Sequence, residues 1–345
     1  MRLVTALPKA HLHLHFTGSM RVGTVRDLAQ KYGSRLPEAL TTGYPPVLSG
    51  RDERGWFRFQ RLYDAARGCV RDESDLRRIV REAAQDDAAE GSRWLELQVD
   101  PTSYAPSVGG ISPALEIVLD EAAAVSREEP TQVAVVVAAS RVRHPLDART
   151  LARLAARHAG EGSGTVVGFG ISNDERRGQT SDFAPAFEIA RRAGLALVPH
   201  AGELLGPAAV EETLEAIRPD RIGHGVRSVE DPRVLELVAE SGVALEVCPR
   251  SNLALGVYDS PQQVPLRTIL EHGIPVALGA DDPLLFGSRL ADQYELARTA
   301  LGFSDDELAE LARGSVTASR APAELQKAAL EDIDAWLATP TARDR

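Results

Sequence analysis

Lys9-Ala10-His11-Leu12-His13-Leu14-His15 is the stretch that decides how the rest of the chain reads. It is a short apolar run broken by imidazoles, and residues two apart on a strand point to the same side of a sheet. His13 and His15 therefore aim at one point in space. His11 shares their parity but lies deeper, and is expected to be packed in the core or behind the ligands. Neutral imidazole is the commonest protein ligand for a borderline metal such as zinc. A first strand ending in two such groups predicts a site at the mouth of a barrel.

Further along, apolar runs recur at Trp94–Val99, Val133–Ala138, Val166–Ile171, Leu195–His200, Arg221–His224, Ala244–Val247 and Val276–Ala280. Ala10–His15 makes eight. Helical periodicity lies between them, at Leu76–Glu90, Leu115–Arg127, Ala148–Ala159, Phe183–Ala193, Ala208–Ile217 and Pro232–Ser241. Continuous apolar strands alternating with helices indicate a parallel sheet covered by helices, and eight such units predict an α/β fold, a (β/α)8 TIM barrel. The connection from Phe16 to Arg93 is too long for one crossover. It is expected to carry extra helices, Val22–Tyr32 and Phe57–Arg67, over the barrel mouth, with Phe57, Phe59 and Tyr63 packing there. From Ser304, a helix-capping residue, the C-terminus adds two more helices. The expectation is one barrel domain over 1–345.

Composition narrows the function. At 345 residues, with 43% hydrophobic and 26% charged residues, the chain supports a well-built core. A net charge of −11 argues against a nucleic-acid partner, which needs a basic face. Any anionic substrate must be met by local arginines. Only Cys69 and Cys248 are present, so neither a disulfide framework nor a thiolate zinc site is expected, and Cys248 should pack as a small apolar residue. There is no signal-like segment and no run long enough to span a bilayer, so neither membrane association nor export is expected and the location is cytoplasmic.

Active-site groups of such barrels sit at the C-terminal ends of strands. Here those ends carry His13 and His15, then Pro199-His200-Ala201-Gly202-Glu203, then Gly223-His224-Gly225, then Ala280-Asp281-Asp282-Pro283. Three imidazoles and a carboxylate (His13, His15, His200, Asp281) suit one Zn2+, which lowers the pKa of a bound water towards neutrality. Glu203 is placed to donate a proton, His224 to orient the water or take its proton, and Asp282 to read a substrate N–H. A binuclear centre would need a bridging lysine near the fourth strand, but lysine occurs only at 9, 31 and 327, so a single Zn2+ per chain is expected.

P-K-A-H-L-H-L-H-F-T-G, P-H-A-G-E, R-I-G-H-G, C-P-R-S-N and A-D-D-P-L, in order from Pro8 to about Phe286, resemble the motifs of adenosine deaminases in the metal-dependent amidohydrolase superfamily. The resemblance implies zinc on His13, His15, His200 and Asp281. It implies that Glu203 protonates the purine ring nitrogen, that His224 acts on the attacking water and that Asp282 bonds the imidazole part of the purine. Attack at C6 would release ammonia. This is not the His/Cys deaminase fold acting on flipped bases.

Two departures bear on substrate. The family usually has Asp at position 17, bonding a ribose hydroxyl, whereas this chain has Thr17, followed by Arg21. Loss of that acceptor should change substrate preference, and an arginine at the mouth could hold a carboxylate. F-T-G-S-M-R resembles the branch that deaminates 6-aminodeoxyfutalosine, an adenine nucleoside with a 5′ extension ending in a benzoate, in an alternative menaquinone pathway. Asn173 replaces the usual Gly whose N–H meets purine N3, and Asn tolerates positive φ. Asp174 and Glu175 are expected to cap the next helix. Rival readings are adenosine deaminase, a deaminase of another 5′-modified adenosine such as methylthioadenosine, an amidohydrolase of a non-purine ring, and an inactive adenosine-binding protein.

Overall fold

The computed structural model describes residues 1–42 and 45–340, so the expected domain extends at 43–44 and 341–345 outside the described residues. Eight parallel strands run in chain order around the sheet: β1 (Lys9–His15), β2 (Ser92–Val99), β3 (Gln132–Ser140), β4 (Val166–Ser172), β5 (Ala196–Ala201), β6 (Arg221–His224), β7 (Ala244–Val247) and β8 (Val276–Leu278). Their apolar residues are buried on both faces, as expected of a parallel sheet wrapped in helices. The first and last strands meet just beyond β8. The His15 amide donates to the Asp281 carbonyl and the Asp281 amide to the His13 carbonyl, each at 3.0 Å. Residues expected to hold a metal thus carry the hydrogen bonds that join the barrel's ends.

Helices fill the outer ring as the periodicity predicts, from Glu73–Ala89 through Pro232–Ser241. The ring is completed by Asp305–Ala318, seated on the seam between β8 and β1. A Cβ at Gly314 would come within 2.6 Å of the Val276 carbonyl, so the glycine permits the close approach. The adjacent Ser315 hydroxyl accepts the Ala10 amide at 3.0 Å. Ser304 does cap this helix, in a reciprocal box with Glu307. Ala323–Ala338 follows as the second C-terminal helix.

Strand β1 departs from simple alternation. His11 pairs with Leu95 and Leu14 with Leu97, so three steps on β1 match two on β2. One extra residue, a bulge, reverses the parity between them. His11 consequently faces outward, not with His13 and His15. Its Nδ1 lies 2.9 Å from Asp87 of the helix Glu73–Ala89, and its Nε2 accepts the Ala280 amide at 3.0 Å.

The long first connection holds the helices Val22–Lys31 and Glu53–Arg67. The second begins four residues before the expected Phe57, because the Asp52 carboxylate caps it by accepting the Gly55 amide at 2.6 Å. Trp56, Phe59, Gln60, Tyr63 and Arg67 recur at helical spacing on one face, and that face lines the barrel mouth. Phe59 stacks on Phe286 with ring centroids 5.8 Å apart. Phe57, expected beside it, falls on the opposite face and is 62% exposed. Among the described residues no helix is long and apolar enough to cross a membrane.

Candidate active site

At the strand ends the expected ligands converge. His15 Nε2 lies 3.2 Å from His200 Nε2 and 3.3 Å from Asp281 Oδ1, and His13 Nε2 lies 3.8 Å from the same oxygen. One of these ligands, Asp281, and the neighbouring strand-end His224 hold unusual backbone, with φ 63° and 64°. Among the described residues four non-glycine positions have positive φ, and three (Asn173, His224 and Asp281) lie at this mouth. Such backbone is costly and persists where the surroundings enforce it.

The donor set fits a zinc ion. His13 Nε2 is fully buried and has no partner, although its Nδ1 lies 2.9 Å from Glu246 of β7. Glu246 fixes the tautomer that turns the Nε2 lone pair towards the other ligands, as carboxylates behind metal-binding histidines do. Burial and mutual repulsion hold His15 down at about 4 and His200 well below its ordinary value, so both rings are neutral, as coordination requires. Burial opposes ionisation of Asp281, but the surrounding imidazoles keep it below the usual carboxylate range. Cys248 packs beside Asp281, and burial pushes its thiol well up, so it remains a small uncharged group.

Behind the ligands lies a layer of paired charge that the motifs alone did not reveal. Arg221 of β6 donates to Glu246 at 2.6 Å, to Glu96 of β2, and to the Ala318 carbonyl at 2.9 Å. Glu96 also accepts from the Trp94 indole at 2.9 Å and the Arg320 amide at 2.6 Å. The available signal was the charge of Glu96, Arg221 and Glu246 at buried strand positions, since buried charge is rare unless paired.

Around the cluster stand the residues expected to act on substrate. His224 Nε2 is 3.6 Å from Glu203 Oε1, and the Asn252 amide lies 3.3 Å from His224 Nδ1, fixing the ring. Burial, then the negative charge of Asp281 and Glu175, raises Glu203 well above the usual carboxyl range. Asp282 is raised for the same kind of reason, burial first and then Asp281 and Glu203. Asp282 Oδ1 has no partner and lies so near Gly18 that a Cβ there would sit 1.8 Å from it.

Glu175 does not cap a helix. Its buried carboxylate accepts the amides of Gly202, Glu203, Leu204 and Leu205 at 2.6 to 3.0 Å, so it shapes the loop carrying Glu203. Asp174 instead pairs with Arg176 at 2.8 Å. Asn173 has φ 81° and borders the cavity, so the backbone expected from its Gly counterpart is kept. Thr17 also borders it, with its hydroxyl hydrogen-bonded to Tyr104.

Arg21 is a correction. It occupies the N-cap position of the helix Val22–Lys31 without a side-chain capping bond, and its guanidinium grips Asp86, with Nε and Nη2 at 3.1 and 2.7 Å from Oδ1. An acidic partner on the helix Glu73–Ala89 pairs with it, and it does not line the cavity. Arg67 borders the cavity instead.

A barrel with imidazoles and a carboxylate gathered at the strand ends defines a hydrolase of the amidohydrolase class. The chain belongs to the adenosine deaminase family, which it matches over residues 8–336. It is 62% identical to a Streptomyces virginiae protein provisionally named adenosine/adenine deaminase, over 97% of this chain and 98% of that one. Its structure is similar to that of adenine deaminase from Arthrobacter aurescens (TM-score 0.87, 28% identity, 96% and 99% of the two chains). It also shares its fold with a Burkholderia ambifaria amidohydrolase solved with bound Zn (TM-score 0.84, 24% identity, 97% and 93%). The protein is therefore a hydrolytic deaminase of the adenine/adenosine type, acting on a carbon–nitrogen bond.

Proposed function

We propose that this enzyme uses one zinc ion to deaminate an adenine nucleoside bearing a long 5′ substituent, with 6-aminodeoxyfutalosine as the favoured substrate. One observation carries this reading. The cavity does not stop at the ligand cluster but runs past Trp56, Phe59 and Tyr63 to Arg67, where it meets an outer cleft bearing Arg54, Arg143 and Arg177. The cleft sets six arginines against four acids (Glu53, Asp64, Asp100 and Asp174), and although Arg67 pairs with Asp64, Arg143 with Asp147 and Arg177 with Glu53, this arginine excess on a chain of net charge −11 suits an anionic extension beyond an aromatic wall. Thr17, already engaged by Tyr104, offers no carboxylate to a free 5′-hydroxyl.

Zinc on His13, His15, His200 and Asp281 would supply an activated water. The protonated Glu203 donates to purine N1, which makes C6 electrophilic. His224 takes one proton from the attacking water and passes it to the amino group, which leaves as ammonia, while the water's second proton returns to Glu203 as the C6–O bond becomes a carbonyl. Asp282 bonds the imidazole part of the purine and holds the ring in register.

A second reading, free adenine, is favoured by the name of the Arthrobacter aurescens relative. Comparing kcat/KM for 6-aminodeoxyfutalosine, methylthioadenosine, adenosine and adenine separates the two. The expected order places the carboxylated nucleoside first by at least about tenfold, one well-formed interaction's worth. Arg67→Met should cost it about tenfold while leaving methylthioadenosine within about twofold. A preference for adenine or adenosine sinks the substrate assignment.

A further inference from the structure

On β2 the residues alternate: Leu95, Leu97 and Val99 pack outward in the core beneath the helices, while Trp94, Glu96 and Gln98 point into the barrel. Trp94 is bonded to Glu96, and Glu96 is saturated by Arg221 and the Arg320 amide. Gln98, one step higher, is different. It is 2% exposed and borders the cavity, yet neither its amide nitrogen nor its amide oxygen has a partner. The Ser140 hydroxyl, at the end of β3, borders the same cavity and is equally unpaired. This is also the condition of His13 Nε2 and Asp282 Oδ1, atoms whose partners come from outside the chain in the proposed reaction.

Leaving a buried donor and acceptor unmade is costly, and an apolar residue of similar volume would fold better. We infer that Gln98 is a specificity-determining residue that receives the hydroxyl groups of the substrate's sugar. The inference rests on the nucleoside reading above. With C6 at the ligand cluster, N1 at Glu203 after β5 and N7 at Asp282 after β8, the N9 edge of the purine points at the opposite wall, the ends of β2 to β4. Gln98 stands there beside His15, its partner in strand register. An amide supplies a donor and an acceptor side by side, matching a vicinal diol, whose hydroxyls each donate and accept.

The test compares wild type with Gln98→Met, and with Gln98→Leu should the first fail to accumulate. Adenosine and 2′,3′-dideoxyadenosine are the probes. Wild type should favour adenosine by about tenfold or more in kcat/KM, whereas the variant should treat the two within about twofold, the change lying mainly in KM. The substrate-free variant should melt no lower than wild type, and about 2 °C higher if the unpaired amide is relieved. An unchanged preference for adenosine, or a melting point lowered by several degrees, overturns the inference. Turnover of adenine with none of any nucleoside defeats the proposed function and this inference together. Nucleoside turnover with the preference intact defeats this inference alone.

Discussion

Two layers of buried polar groups sit one above the other inside this barrel, and they obey opposite rules. In the lower layer Arg221, Glu96, Glu246 and Trp94 satisfy one another almost completely. In the upper layer His13 Nε2, Asp282 Oδ1, Ser140 Oγ and both amide atoms of Gln98 are unpaired, and three strained non-glycine residues surround them. The lower layer is arranged for the folded state, the upper for a ligand. The contrast separates polar residues that stabilise from polar residues that act, although both kinds are equally hidden from water.

The largest expected effect lies in the upper layer. Glu203→Gln removes the protonated carboxyl without altering the ligand set, so kcat should fall by about a thousandfold or more while the zinc content found by elemental analysis stays unchanged. Turnover near wild type would show that Glu203 is not the proton donor. The same carboxyl gives the pH profile its sign. Burial and its acidic neighbours raise it well above the usual carboxyl range, so its protonated form persists to higher pH than an ordinary carboxyl's, and activity should fall as pH rises through that shifted value.

In the lower layer Arg221→Met strands Glu96 and Glu246 as uncompensated buried carboxylates, which costs about 3–5 kcal/mol. Chemical denaturation should report that loss, and zinc should dissociate more readily because Glu246 no longer holds His13 in place. Unaltered stability would mean the layer is less tightly coupled than its hydrogen bonds imply.

A smaller effect comes from the barrel floor. Lys9 is buried, donates to the Val4 and Glu90 carbonyls at 2.9 and 2.6 Å, and is pushed by burial from 10.5 down to about 7. Between those values the unfolded chain holds a proton the folded one has shed, so raising the pH favours folding. The stability of wild type relative to Lys9→Met should therefore be flat below pH 7 and grow towards pH 10.5. Urea unfolding at several pH values reads this, and a flat difference throughout would mean that Lys9 remains charged inside.

Much of this was legible beforehand. The eight strands followed from apolar runs that end in Gly, Pro or polar residues, and β6 and β7 have the expected bounds. The convergence of His13, His15, His200 and Asp281 followed from strand-end placement, since parallel strands of one barrel bring their C-terminal ends together. Side-chain direction was less legible. His11 was misread because a bulge in β1 is not encoded in alternation, and Arg21 because its partner Asp86 lies 65 residues away. Glu175 resembles any acid near a helix start until the loop after β5 folds around it.

The chain's linear order determined the architecture and the chemical kind of the site, because periodicity and the position of a residue within its strand are local properties. Which polar side chains were neutralised by partners and which were left waiting was decided only in three dimensions. Pairing joins residues from strands remote in sequence, such as Glu96, Arg221 and Glu246, and the energy of a buried charge depends on every neighbour it meets.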